Sequence, residues 1–188
     1  MGTVRLMVAG LTAGALLFGS APAGATIVEK VRYSDTDSFS YDDCGFTVQV
    51  DVEFSGVFSF REGKHKNETA FFGHDNFEYR EVHTNVDTGE FFVIYGNGNF
   101  RETKATRIEG SVFTFTSVVA GQPFTIEDSA GNVILRERGS IRETILFDTQ
   151  GDNVPGGIFI ESIDFQVNGP HPGLTADFCQ IASDLIGP

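Results

Sequence analysis

One stretch of the chain constrains the fold more than any other. In GFTVQVDVEFSG, residues 45–56, apolar side chains at every second position alternate with polar ones. The apolar members of this alternation are Phe46, Val48, Val50, Val52 and Phe54. Successive side chains of a β-strand point to opposite faces, so a period of two predicts a strand with one dry face and one wet face.

Further β-rich runs follow this strand, and turn-forming residues separate them. The runs are residues 57–61, 76–84, 90–103, 112–119, 123–127, 132–148 and 158–167. The residues between them favour turns, at 85–89, 109–111, 120–121, 128–132 and 150–153. Because parallel pairing needs long crossovers and these connections are short, the sequence predicts an all-β fold, an antiparallel meander of about eight strands.

Glycines inside the long runs indicate how the sheet curves. Gly56 lies within the continuous stretch 45–61, Gly96 and Gly98 lie within 90–104, and Gly139 lies within 132–148. Glycine within a strand marks a bulge or bend, and bends at similar heights let a sheet curl. We therefore expect a small closed or partly closed barrel of lipocalin-like size, with a two-sheet β-sandwich as the alternative.

Helical spacing occurs in the tail, over residues 174–186. Its apolar positions recur at intervals of three and four: Leu174, Phe178, Ile181 and Leu185. This spacing predicts a short C-terminal helix, which Thr175 is placed to cap.

The chain contains two cysteines, Cys44 and Cys179. Their neighbourhoods, YDDCGF and ADFCQI, offer no partners for a metal site and no setting for a reactive thiol. We expect one disulfide between them, which ties the predicted helix to the strand region around residue 45.

The first residues have the pattern of an export signal. A single positive charge, Arg5, precedes an apolar run and a series of small residues that ends at Ala25. We expect residues 1–25 to be a signal peptide and residues 26–188 to be a single β domain, secreted and extracellular, with no membrane anchor after cleavage. The net charge of −13 argues against nucleic acid as a partner.

The charged stretch RERGSIRET, residues 136–144, allows two interpretations. In the first, Gly139 and Ser140 form a hairpin turn that sets Glu137 opposite Arg142. In the second, the chain runs on through a kink at Gly139, and Arg136, Arg138 and Arg142 share one face. We favour the second, with the arginine row on a solvated outer face. Pointing inward, the three arginines would form an anion-binding wall.

Other candidate residues carry weaker signals. Tyr95, His83 and Glu81, or an arginine, could act inside a barrel as parts of an enzyme site. His74 and His83 are separated by roughly 30 Å of extended chain, so they are not expected to meet at a metal ion. Residues 35–38 form an acidic loop that departs from the EF-hand pattern. We expect no metal site and no cofactor.

The signal peptide, DCGF at 43–46, FDTQGDNVPGG at 147–157 and GPHPGLTADFC at 169–179 together resemble uncharacterised exported bacterial proteins of under 200 residues. The resemblance implies secretion and a disulfide, and it supplies no activity.

We expect a non-enzymatic binding or interaction module with a small ligand or an extracellular protein as partner. The alternative is a small-barrel enzyme, an isomerase, cyclase or hydrolase, with a polar interior site. A third possibility is a contact through an exposed apolar patch on the surface.

Overall fold

The computed structural model describes residues 27–63, 70–152 and 154–188. The predicted signal peptide lies outside the described residues. So do His65 and Asn67-Glu68-Thr69, a triplet with the pattern of an N-glycosylation acceptor. The elements in chain order are β1 Ile27–Tyr41, β2 Val48–Glu62, β3 Phe71–Asn85, β4 Phe91–Glu109, β5 Val112–Glu127, β6 Val133–Arg136, β7 Gly139–Asp148, β8 Ile158–Asn168, a 3-10 turn Pro172–Leu174 and α1 Phe178–Ile186.

The strands form one antiparallel sheet in the order β1-β2-β3-β4-β5-β7-β8, and β6 pairs with β5. This confirms the predicted all-β meander and the short C-terminal helix. Among the described residues, β1 pairs with β2 alone and β8 with β7 alone, so the sheet has two free edges. The sheet is therefore not closed.

Several predicted boundaries were wrong. Strand β1 was not predicted, and the acidic residues 35–38, expected in a loop, lie inside it. Its polar side chains are tolerated because β1 is an edge strand that is almost wholly exposed. The turn expected at residues 120–121 is absent, because Gly121 faces Gly98 within a continuous β5. Two facing glycines let β4 and β5 approach closely and bend together.

The predicted dry face of residues 45–56 covers the core. Val48 and Val50 are fully buried on one face of β2, which we call the inner face of the sheet. The main core cluster joins strands β2, β4, β5 and β6 to helix α1 and comprises Val48, Val50, Phe92, Ile94, Ile126, Leu135, Ala182 and Ile186. A second cluster brings Ala70 beside Phe113 and Phe115. Because the start of β3 thereby meets β5, which is not its neighbour, the sheet curls around its inner face.

The structure corrects the cap of the helix. Asp177, not Thr175, caps α1, and its side chain accepts a hydrogen bond from the Gln180 backbone N–H at 3.1 Å. Thr175 follows the preceding 3-10 turn. The proline and glycine at 172 and 173 start that separate turn, so the α-helix begins four residues later than predicted.

The predicted disulfide is confirmed. Cys44 and Cys179 are bonded, with their Cα atoms 4.9 Å apart. Cys44 lies in the turn between β1 and β2, and Cys179 lies in the first turn of α1. The bond therefore fixes the helix to the sheet across a sequence separation of 135 residues.

Reduction of this bond is expected to lower the free energy of unfolding by about 2–5 kcal/mol, because a long loop gains conformational freedom in the unfolded chain. Urea unfolding with and without a reductant measures the change. The Cys44→Ala/Cys179→Ala variant is the control, since its stability should not respond to the reductant. An unchanged midpoint for the reduced protein would contradict the prediction.

The structure decides between the two interpretations of RERGSIRET. Leu135 in β6 and Ile141 in β7 both pair with β5, at Ile126 and Val119, so β6 and β7 follow one another along the same side of β5. The hairpin interpretation was wrong, and the kinked-strand interpretation is confirmed. The ladder breaks at Glu137 and Arg138, whose N–H groups donate to the carbonyl groups of Phe124 and Pro170.

Gly139 is required at this break. It has φ +126°, and an added Cβ would collide with the carbonyl oxygen of Asn168 in β8. L-residues with a side chain rarely adopt this backbone conformation.

The substitution Gly139→Ala should therefore destabilise the protein by about 1–3 kcal/mol, through backbone strain and displacement of β8. Thermal unfolding of the variant measures the loss. Gly131→Ala is a matched control with positive φ but with no atom within 4 Å of the added Cβ. Equal losses in both variants would show that the collision with Asn168 contributes nothing.

Candidate functional site

Three polar side chains meet on the inner face of the sheet. His83 Nε2 lies 2.9 Å from Glu81 Oε2, and His83 Nδ1 lies 3.4 Å from the Tyr41 hydroxyl. Because a carboxylate only accepts, Nε2 donates to Glu81, and Nδ1 of a neutral ring accepts from Tyr41. Burial, followed by the charges of Glu81 and Asp43, raises the pKa of Tyr41 to about 12.

Aromatic rings enclose this histidine. His83 is 4 % exposed, and its ring stacks on Phe92 with the centroids 4.8 Å apart. The ring of Phe178 in α1 contacts it edge-on at 6.0 Å. Tyr41, His83 and Glu81 therefore have the donors and acceptors of a proton relay, but a substrate has no approach to the histidine ring. Their arrangement satisfies buried polar groups in the core.

A second buried pair joins the break in RERGSIRET to the C-terminal segment. His171 Nδ1 lies 3.2 Å from Glu137 Oε2, with the histidine side chain 1 % exposed and the glutamate side chain 7 % exposed. His171 lies in the loop before the 3-10 turn, and its burial was not predicted. The sequence does contain a signal for this burial. The alternation of side chains along the strand places the Glu137 carboxylate on the apolar face, where it needs a partner.

The arginine row does not point into the core. Arg138 and Arg142 are exposed, and Arg142 pairs in register with Val118 on the outer face of the sheet, opposite to the core. Arg136 is half-buried, in register with Thr125. The three candidates therefore face solvent or the outer side of the sheet.

Tyr95 lies on the same outer face as Arg136. Its hydroxyl donates to Glu127 Oε1 at 2.7 Å, and this hydrogen bond is the main cause of its raised pKa. Arg136 acts in the opposite direction on the pKa of Tyr95. Tyr95, Glu127 and Arg136 form a polar cluster across β4, β5 and β6, separate from Glu81 and His83 on the inner face.

The structure separates the remaining histidine candidates. His74 and His83 both lie on β3, nine positions apart in sequence, so their side chains point to opposite faces. Across residues 27–63, 70–152 and 154–188, no three His, Cys, Asp or Glu side chains are grouped so as to hold a metal ion. No helix within these ranges combines the length and the apolar character needed to cross a membrane.

The most unusual surface is the free edge formed by β8. All of its residues are exposed, and they include large apolar side chains on both faces, with Phe159 at 57 % and Phe165 at 52 % exposure. Its exposed large apolar residues are Ile158, Phe159, Ile160, Ile163, Phe165 and Val167. We call this surface the β8 edge. Monomeric proteins protect such edges or cover them, so the β8 edge is a candidate contact surface.

The opposite edge of the sheet, formed by β1, also exposes apolar side chains, and its first half carries two cations besides Glu29. In the first half of β1, Ile27 and Val28 are 47 % and 44 % exposed, and Lys30 and Arg32 are also exposed. We call residues 27–32 the basic half of β1. The sequence reasoning missed this surface because it did not predict β1.

No protein-family model matches the chain, and no curated protein or solved structure matches it either.

The buried pair is expected to be energetically coupled. Glu137→Ala and His171→Ala should each destabilise the protein by about 3–5 kcal/mol, because each leaves one buried polar group without its partner. The double variant should lose less than the sum of the two. Chemical denaturation of all four proteins measures the coupling.

The control cycle uses Glu137 with Arg142. These residues follow one another along the side of β5 at roughly 16 Å, so their coupling should be near zero. A coupling of similar size in both cycles would contradict the assignment of His171 as the partner of Glu137.

Proposed function

We propose that the protein is a secreted, non-enzymatic interaction module whose contact surface is the β8 edge. The observation that carries the proposal is the row of exposed large apolar side chains along an unpaired strand, from Ile158 to Val167. The curled sheet with α1 across its inner face is a partly closed barrel that encloses its own core. The sandwich alternative has less support, because the seven-strand path forms one continuous sheet.

Secretion is supported by two independent features. Residues 1–25 have the pattern of a signal peptide, and a disulfide persists only in an oxidising compartment.

The interior supports binding through the surface rather than catalysis within the barrel. A small-barrel enzyme needs converging polar groups beside an open cavity. His83 is instead enclosed between Phe92 and Phe178, and His171 is buried against Glu137. The rings of Phe92 and Phe178 occupy the space beside His83 that a substrate would need.

The occupant that best fits the β8 edge is the basic half of β1 in a second copy. Glu161 and Asp164 of β8 both lie on the outer face, in register with Leu146 and Thr144. A bulge at Ile163 places these two acids at neighbouring positions on that face.

The basic half of β1 offers the matching spacing. Lys30 and Arg32 are two residues apart and also lie on the outer face, in register with Ser59 and Val57. Edge-to-edge contact therefore sets two cations against two acids on one face. The apolar side chains of both edges meet between and beneath these charges.

Area and charge both favour this contact. Six half-exposed apolar side chains amount to an apolar patch on the order of 500 Å², at the upper end for a monomer surface. The net charge of −13 makes copies repel one another, so an orientation that sets cations against acids is favoured over orientations that do not. Because the two surfaces differ, the contact is head-to-tail and produces a ring or a filament.

We expect the wild-type protein to associate in a concentration-dependent manner, as measured by sedimentation velocity, and Ile163→Lys to weaken the association at least tenfold. A lysine on the edge adds a charge that the contact would have to desolvate. Ile108→Lys is the matched control, since Ile108 is 60 % exposed at the far end of β4, away from both free edges.

Charge reversal tests whether the basic half of β1 in a second copy is the segment that binds the β8 edge. Lys30→Glu/Arg32→Glu should abolish association alone, and mixing it with Glu161→Lys/Asp164→Lys should restore assembly between the two proteins. A wild-type protein that stays monomeric at millimolar concentration, or equal losses for Ile108→Lys and Ile163→Lys, would refute self-association.

A further inference from the structure

Strands β3 and β4 diverge near one end and leave an opening between them. Their pairing ends at His74 and Arg101, whereas β3 continues beside β2 to Phe71. Beyond this point β4 pairs with β5 alone. A cavity of about 270 Å³ occupies the opening, lined by Arg61, Phe72, Gly73, His74, Asn99, Arg101 and Glu102. We call it the β3–β4 cavity.

A carboxyl group lies in this opening. Glu102 Oε2 accepts a hydrogen bond from the Gly73 backbone N–H, which has no partner on β4 beyond the last paired residues. The space beside Gly73 is shared by the Glu102 carboxyl and the rings of Phe58 and Phe100. Burial raises the pKa of Glu102 to about 7, although the Gly73 N–H acts to lower it.

Basic side chains border the same opening. The guanidinium groups of Arg61 and Arg101 belong to the lining, and within the described parts of the chain neither forms an ion pair. Asn99 Nδ2 lies 2.9 Å from His74 Nε2. If the amide donates there, the proton of a neutral His74 ring is on Nδ1. Two arginines and a histidine therefore lie around one opening, although acidic residues outnumber basic ones in the chain.

The geometry points to the β3–β4 cavity as a binding site for a small ligand that carries a carboxylate on an apolar body. Arginine forks bind carboxylates through paired hydrogen bonds. The ring of Phe72 provides an apolar wall, and Glu102 in its neutral form has a hydroxyl to donate to an anion. The volume lies below the usual range of about 300–1,000 Å³ for drug-sized ligands, so the ligand is small.

A carboxylate fits this cavity better than a phosphate group. An ionised Glu102 would repel a dianion more strongly than a monoanion. The apolar wall also favours a ligand whose charge is confined to one end. This site is independent of the β8 edge, which lies on a different strand at the other side of the sheet.

A titration with benzoate, followed by amide chemical shifts in NMR spectra, tests the site. Benzoate should shift the amide signals of Gly73 and Arg101, whereas benzamide, which has the same shape and no charge, should not. Inorganic phosphate should bind at least tenfold more weakly than benzoate. Arg101→Gln should weaken benzoate binding by about tenfold or more, because a charged hydrogen bond is lost.

Arg80→Gln is the matched control, an exposed arginine farther along β3, in register with Tyr95 and outside the cavity lining. Its benzoate affinity should equal that of the wild type. Equal weakening in Arg101→Gln and Arg80→Gln would refute the site, as would equal binding of benzamide and benzoate or tighter binding of phosphate. The spectra themselves report whether each variant is folded.

The pH dependence of binding provides a second readout. Above a pH of about 7, Glu102 becomes ionised and repels the anion, so benzoate affinity should fall between about pH 6 and pH 8. Glu102→Gln keeps an acceptor for the Gly73 N–H and removes the titrating charge. The other ionisable groups that line the cavity are Arg61, His74 and Arg101. A fall of the same size in the Glu102→Gln variant would assign the effect to His74 and remove Glu102 from the site.

Discussion

Helix α1 is held against the inner face of the sheet near both of its ends, and the closed core depends on this attachment. Near its start, Cys179 is bonded to Cys44 in the β1–β2 turn. At its end, the buried Asn85 side chain donates to the Ile186 carbonyl at 2.7 Å. A helix of nine residues is not stable alone in water, so its conformation depends on these contacts and on the burial of Ala182 and Ile186. Without the helix, the inner face of β2 and β4 would be open to solvent.

The sequence predicted the features of the fold that rest on local periodicity. The alternation around Val48 and Val50 identified the strand whose dry face covers the core. The two cysteines identified the disulfide that fixes the helix to the sheet. It failed where tertiary position overrides pattern. The polar residues 35–38 interrupt the apolar positions of β1, which an edge strand tolerates because it needs no dry face. Gly121 lies in a strand because Gly98 faces it. Neither fact is encoded within a short window of sequence.

The candidate sites could be predicted less well, for a related reason. The alternation of side chains along the strand places Glu137 among apolar neighbours. Only the packed structure identifies His171, 34 residues away, as its partner. The sequence contains no signal for Glu102, since its partly buried position results from the divergence of β3 and β4. The apolar residues of β8 were visible as a strand, yet their exposure depends on β8 being the last strand of the sheet. Sequence patterns define elements, whereas sites arise from the order in which elements pair.

The distribution of charge connects the proposed contact surfaces. Both ion pairs among the described residues use histidine, His83 with Glu81 and His171 with Glu137, so the core is neutralised without any lysine or arginine. The scarce permanent cations stay near the surface, and two sets of them border an incomplete part of the sheet. Lys30 and Arg32 lie along a free edge, and the guanidinium groups of Arg61 and Arg101 flank an opening between strands. The chain has twice as many acids as bases, so most of its surface repels an acidic group from outside. Such a group gains the most favourable electrostatic interaction at these unpaired cations, which lie where the hydrogen-bonded sheet is incomplete.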